Sequence, residues 1–146
     1  MGWIRFLIVP LLCFTSSCDK PSRTFTEKER QSAYLKLLGH WKDEGGNHFY
    51  FAPLPEGERY GRLTFIQGFQ PDRIFHHRYS VLDDTPDVVT MRIFYQAGQE
   101  SQNVYKISRD GYSFSKTSHF GIKGMEALDT FEETFSWVGE SYGPPL

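Results

Sequence analysis

Residues 73–96 read RIFHHRYSVLDDTPDVVTMRIFYQ, and this stretch decides the fold. In its first half Phe75, His77, Tyr79 and Val81 alternate with Ile74, His76, Arg78 and Ser80. In its second half Val89, Met91, Ile93 and Tyr95 alternate with Thr90, Arg92 and Phe94. Successive Cβ atoms of an extended strand point to opposite sides, so a period of two puts each set on its own face. The intervening Asp83-Asp84-Thr85-Pro86-Asp87 is turn chemistry, and so short a break joins antiparallel neighbours. The stretch therefore predicts a hairpin whose bulky face, the sets headed by Phe75 and Val89, turns inward.

The same rhythm continues on both sides. Strands are expected at 40–44, 48–52, 59–66, 73–82, 88–96, 102–108, 111–118 and 130–138, with breaks such as Gly45-Gly46-Asn47 and Arg109-Asp110-Gly111 between them. The 121–129 stretch is an exception, a loop or one helical turn. Eight strands in tight succession, with no long helix between them, favour antiparallel hairpins over βαβ units. Such a mainly β, up-and-down sheet closes most simply as a barrel. Parity also turns inward Phe49, Phe51, Leu63, Phe65, Tyr105, Ile107, Tyr112, Phe114, Phe131, Phe135 and Trp137. With 13 Phe, 8 Tyr and 3 Trp in 146 residues, the chain has ample apolar surface for a single-domain core. The balance of 16 Lys+Arg against 18 Asp+Glu provides no basic stripe and argues against a nucleic-acid partner.

Ahead of the strands, Thr26-Glu27-Lys28-Glu29 is a capping box, predicting one helix that runs to about Leu38. Ala33, Tyr34, Leu37 and Leu38 share one face of it, and Gly39 suits the left-handed position that ends it. Further upstream, Arg5, the apolar run from Phe6 to Phe14 and the small residues Thr15-Ser16-Ser17 have the order of a secretory leader, too short to span a bilayer. Thr15-Ser16-Ser17-Cys18 resembles the lipobox of bacterial lipoproteins, with Thr15 where Leu is usual. That resemblance implies cleavage after Ser17, a diacylglycerol (with palmitate as a natural label) on Cys18, and attachment to the cell membrane with the domain on the periplasmic or extracytoplasmic side. Asp19 resembles the inner-membrane retention signal of enterobacterial lipoproteins. Removing Cys13 with the leader and lipidating Cys18 leaves no thiol for an internal disulfide. The expected organisation is a signal peptide over 1–17, lipidated Cys18 and a polar tether over 18–25, and helix plus barrel over 26–146.

Gly39-His40-Trp41, at the junction of helix and first strand, resembles the G-x-W of lipocalin-like (calycin) barrels. The resemblance implies an eight-stranded barrel closed at its bottom by Trp41, with a small hydrophobic ligand held in the lumen or its mouth. The chain departs from that family in its last strand, where 130–138 contains no arginine to pack over the tryptophan.

An inward face this rich in rings could fill the lumen or line a pocket, and the sequence leaves both open. If a pocket exists, the expected lining includes Phe51, Phe65, His77, Tyr79, Met91, Tyr105, Glu133 and Trp137. His77, Asn103 and Glu133 are polar residues at inward parity, able to orient a ligand head group or to pair with one another. If the lumen is filled, outward Tyr50, Tyr60 and Phe94 could meet another envelope protein, as an inhibitor or assembly factor would. No metal or other cofactor is expected: adjacent His76 and His77 diverge on a strand, and no ligand spacing joins them to His40, His48 or His119. No catalytic residue is expected either, since nucleophile elbow, phosphate loop and metalloprotease motifs are missing and Glu132 and Glu133 point apart, which leaves an enzyme with a cryptic site as the third and last reading.

Overall fold

The computed structural model describes residues 23–120 and 130–145. The leader, Cys18, Asp19 and the 121–129 stretch lie outside the described residues, as does the side chain of Phe131.

Eight strands follow two short helices: α1 (Glu27–Arg30), α2 (Ala33–Leu37), β1 (Gly39–Asp43), β2 (His48–Phe51), β3 (Gly61–Gln67), β4 (Gln70–Asp84), β5 (Val88–Phe94), β6 (Glu100–Ile107), β7 (Ser113–Phe120) and β8 (Thr130–Gly139). Each strand pairs antiparallel with the next, and β8 returns to β1 through Trp41↔Trp137 and Lys42↔Ser136, so the sheet is a closed barrel. Closure removes every sheet edge. The 73–96 hairpin forms as its alternation requires, with Tyr79 opposite Ile93 and Val81 opposite Met91. Its bulky face is inside: Tyr79, Val89, Met91 and Ile93 are fully buried, whereas Arg78 and Arg92 are exposed. β4 runs longer than expected at both ends, from Gln70 to Asp84, with a register shift between Val81 and Asp83.

The single predicted helix is two. Thr26 caps α1 with the expected box, its hydroxyl accepting from the Glu29 N–H while the Glu29 carboxylate accepts from the Thr26 N–H. The helix stops after Arg30 because Ser32 takes an extended conformation, φ −140°, and starts α2 by accepting from the Leu35 N–H. The Ala33 N–H then donates to the Thr85 carbonyl across the β4–β5 turn, and Asp84 accepts from Ser32 Oγ and the Tyr34 N–H. Tertiary partners of these donors outweigh helix continuation. Gly39 directly follows the C-cap Leu38 of α2 and, at φ 128°, is also the first residue of β1.

α2 closes one end of the barrel, against β4, β5 and β6, with Ala33 and Leu37 fully buried. Trp41 is fully buried beneath it and donates from Nε1 to the Leu37 carbonyl at 2.7 Å, an acceptor that the helix end leaves open. Trp137 meets Trp41 edge-on at 4.9 Å. Gly39 is required here, since a Cβ would lie 2.4 Å from the Trp137 ring. The arginine missing from β8 is supplied by the N-terminal segment: the Arg23 guanidinium stacks 3.4 Å above the Trp137 ring, within 5.7 Å of the Trp41 ring. It donates to the Lys36 and Gly111 carbonyls at 3.2 and 2.9 Å, and the Arg23 N–H donates to Asp110. Residues 23–25, expected as tether, are therefore packed on the barrel, with Phe25 against Gly111.

Candidate functional site

Among the described residues, the opposite end of the barrel carries the turns β1–β2, β3–β4 and β5–β6. Beneath it, within the upper part of the lumen, lies a cavity of about 420 Å³. Its wall is largely aromatic, from Phe49, Phe51, Phe65, Phe75, Phe114 and Phe135 with Leu63. The rings support each other: Phe114 stacks on Phe135 at 4.4 Å, Phe49 meets Phe135 and Phe65 at 4.9 Å, and Phe65 meets Phe75 at 5.8 Å. Such offset and edge-to-face contacts hold wall side chains in place when no ligand supports them. The lumen is thus filled in its lower half and hollow in its upper half.

Polar groups enter the wall from β4 to β8. Along β6, inward residues Ser101, Asn103 and Tyr105 are buried, and their side chains form a chain. Ser101 Oγ donates to Asn103 Oδ1 at 3.0 Å, and Asn103 Nδ2 donates to the Tyr105 hydroxyl at 3.0 Å. The Tyr95 hydroxyl lies 2.9 Å from Ser101 Oγ. Tyr105 is opposite Lys116 on β7, and Lys116 is opposite Glu133 on β8, so one register row brings phenol, ammonium and carboxylate side by side. Lys116 and Glu133 form an ion pair, and the ammonium also sits 5.3 Å from the Phe135 ring centroid. Asp43 and Asn47 stand at the rim, where Asn47 donates to Asp43 from its backbone N–H and its amide.

Burial governs the titration of this wall. It raises the Tyr105 phenol far above its ordinary value, well out of the physiological range, against the opposing hydrogen bond from Asn103. It lowers His77, helped by the nearby His76, so this imidazole is neutral near pH 7. Among the described residues His77 Nδ1 is buried with no hydrogen-bond partner, and its ring meets Tyr95 edge-on at 4.9 Å.

Of the residues expected to line a pocket, Phe51, Phe65, His77, Tyr105 and Glu133 stand in this wall, together with Asn103. Tyr79, Met91 and Trp137 do not. Tyr79 shares the inward parity but belongs to the filled lower half: its hydroxyl donates to the Ala52 carbonyl and meets the Tyr34 hydroxyl at 3.0 Å, under α2. Its ring occupies the space in front of Gly61, where a Cβ would lie 2.1 Å from Cζ. Met91 is fully buried in the core and Trp137 is part of the closed floor. Trp41 is in that floor, where the G-x-W resemblance placed it. Lys116 and Tyr95 also line the cavity without being among the expected lining, although Lys116 follows Tyr112 and Phe114 at the same parity.

On the outer face, Tyr50 is not available to a partner: it is 5 % exposed beneath His40, whose ring stacks on it at 4.1 Å. Tyr60 and Phe94 pack edge-on at 5.4 Å, with the Arg78 guanidinium over both rings. Among the described residues no group of three His, Cys, Asp or Glu side chains is placed to hold a metal ion. A comparison with protein-family models and with curated proteins finds no match to this chain.

Proposed function

We propose that this chain is a membrane-anchored envelope lipoprotein, lipidated at Cys18, whose lipocalin-like barrel binds a small hydrophobic ligand in the cavity at its open end. The observation that carries the reading is the hollow of about 420 Å³, a volume in the range of small-molecule pockets, with aromatic walls and a few convergent polar groups. The outer wall supports it too, because exposed Arg62, Arg78, Arg92 and Lys106 stand where a membrane-spanning barrel presents an apolar belt. The place of Arg23 adds an orientation. Four residues separate Cys18 from this packed arginine, five Cα steps with a reach of at most about 18 Å. A barrel held so closely by its closed end turns its mouth away from the membrane.

Native mass spectrometry of the protein purified from bacterial cells tests the ligand. The expected spectrum contains a small-molecule adduct lost on denaturation; a clean apo mass, together with failure to bind any environment-sensitive apolar dye, refutes carriage. Radioactive palmitate tests the anchor, which is refuted by an unlabelled wild type or by equal label on Cys18→Ala. Phe69, 74 % exposed on the β3–β4 turn beside the mouth, favours a second reading in which the rim contacts an envelope protein. Cross-linking in intact cells that traps no protein at a position next to Phe69 counts against it.

A further inference from the structure

Three arginines stand side by side on the outer wall, where stability alone would separate them. Arg62 on β3 is directly opposite Arg78 on β4, and Arg92 on β5 is opposite Ser80, the next outward position along β4. All three are exposed. Like charges directly opposite on neighbouring strands repel and destabilise the sheet. Nothing beside them offsets that cost. Among the described residues none of the three has a carboxylate partner, and the outward positions of β3, of β5 and of β4 from Ile74 to Ser80 hold no acidic residue. Glu100, opposite Phe94 on β6, and Asp72, toward the mouth, bound the patch. Asp19, Glu126, Asp129 and Glu132, whose side chains lie outside the described residues, attach on the other side of the barrel. Asp19 precedes Arg23, which packs on β8, and the other three belong to β8 or to its connection from β7; β8 is four strands from β4 in either direction.

The arginines are held as well as exposed. The Arg78 guanidinium lies 4.9 Å from the Tyr60 ring centroid and 5.8 Å from that of Phe94, and these two half-buried rings meet edge-on. A planar guanidinium stacked in this way keeps its N–H edge for a carboxylate. Arginine and tyrosine are the residues that dominate protein interfaces, where lysine is depleted, and these outward positions contain no lysine. The chain as a whole has a net charge of −2, so the patch is a local reversal of sign that selects an acidic partner.

We propose that the outer wall of β3, β4 and β5 is a docking surface for an acidic segment of a partner protein, whose carboxylates pair with Arg62, Arg78 and Arg92 while an apolar side chain lies against the Tyr60–Phe94 pair. This goes beyond the carrier reading and does not depend on it, since none of these residues lines the cavity.

Every described strand and helix lies after residue 22 and the sheet closes on itself, so the segment from Arg23 to Leu146 is a self-contained unit for solution assays. Fluorescence anisotropy at low ionic strength measures its binding to a labelled peptide of repeating Glu-Glu-Phe, with the Gln-Gln-Phe counterpart as neutral control. The acidic peptide should bind at least about tenfold more tightly than the neutral one, and progressively more weakly as salt is added. Arg62→Gln, Arg78→Gln and Arg92→Gln should each weaken it about threefold, and all three together at least about tenfold. Lys106→Gln combined with Arg109→Gln, cations elsewhere on the surface, should change it by less than about twofold. Without peptide, Arg62→Gln should raise the urea midpoint, because it removes the repulsion from Arg78, and this also shows that the variant folds. No binding of the acidic peptide, no preference for it over the neutral one, tight binding retained by the triple variant, or an equal loss in the Lys106 and Arg109 variant overturns the proposal. A wild type that ignores the peptide but binds vesicles of equal parts phosphatidylglycerol and phosphatidylcholine overturns it in favour of a lipid surface. A lowered urea midpoint in Arg62→Gln overturns the repulsion argument on which it rests.

Discussion

Arg23→Ala should destabilise the barrel far more than its place in an N-terminal segment suggests. The guanidinium lies 3.4 Å above the Trp137 ring and donates to two carbonyls, Lys36 and Gly111, which belong to α2 and to the β6–β7 turn. Hydrogen bonds from a charged donor contribute about 1.5–3 kcal/mol each, and a partly desolvated cation–π contact about 1–2 kcal/mol. Burial works against them: it lowers the Arg23 pKa, more strongly than the nearby carboxylates Glu140 and Glu29 raise it, so part of the gain offsets desolvation. The expected net loss is about 2–3 kcal/mol, or roughly 6–12 °C in Tm for a domain of this size. Urea unfolding of the segment from Arg23 to Leu146, followed by far-ultraviolet circular dichroism, measures it through the midpoint at unchanged slope. Arg23→Lys should recover less than half, because an ammonium cannot stack flat on the indole while donating in two directions. A double-mutant cycle with Trp137→Leu should give a coupling of about 1 kcal/mol. A loss under about 0.5 kcal/mol for Arg23→Ala, or full rescue by lysine, would refute the reasoning that this residue latches the closed end.

Gly61→Ala should lower stability by about 3 kcal/mol or more in the same urea assay, since its Cβ displaces the Tyr79 ring and with it the bonds to Ala52 and Tyr34; Gly57→Ala, in open space at φ 78°, should cost only about 1 kcal/mol. Burial first, and then the like charge of His48, hold His40 at about 4 against 6.5 in the unfolded chain. The unfolded state therefore binds more protons between those values, so this contribution is complete above about pH 6.5 and is lost as pH falls toward 4. The interval corresponds to roughly 3 kcal/mol for an enclosed ring, reduced to about 1–2 kcal/mol by partial exposure, and His40→Phe should remove that part of the slope between urea midpoints at about pH 7 and pH 4.5. Dyes attached to cysteines introduced at Gly98, on the mouth side, and at Asp110, beside Arg23, should differ in quenching by spin-labelled lipid head groups, strongly at position 110 and weakly at 98; equal quenching would contradict the outward-facing mouth.

What could be read in the sequence divides along a physical line. Parity is local: Phe75, His77 and Tyr79 must share a face whatever the rest of the chain does, so strand number, inward set and barrel were legible in 73–96 and its echoes. Height along the barrel is not local. Tyr79, Met91 and Tyr105 have the same parity, but only register across neighbouring strands decides that Tyr105 faces the hollow while Tyr79 is sealed under α2. Lys116 shows the consequence. An inward lysine in isolation looks like an error of alternation, and it becomes intelligible once β8 places Glu133 opposite it.

The closed end poses the same question over a longer distance. A search of the last strand for an arginine over Trp41 fails, because the group that packs there is 114 positions before Trp137 and reaches it from outside the strands. The requirement was geometric: a cation covering an indole floor and satisfying carbonyls at a helix end and a hairpin turn, which any segment passing that point could meet. Residues 23–25 lead through α1 into α2, which lies against β4, β5 and β6 and is fixed by Ser32, Ala33 and Tyr34 bonding to the β4–β5 turn. The two-part helix, a departure from the single helix the capping box suggests, is thus what brings Arg23 over Trp137. Loosening Ser32 or Asp84 should therefore weaken the floor from a distance, and because the floor lies at the end opposite the cavity mouth, such variants should lose stability while retaining the ligand wall formed by Tyr105, Lys116 and Glu133.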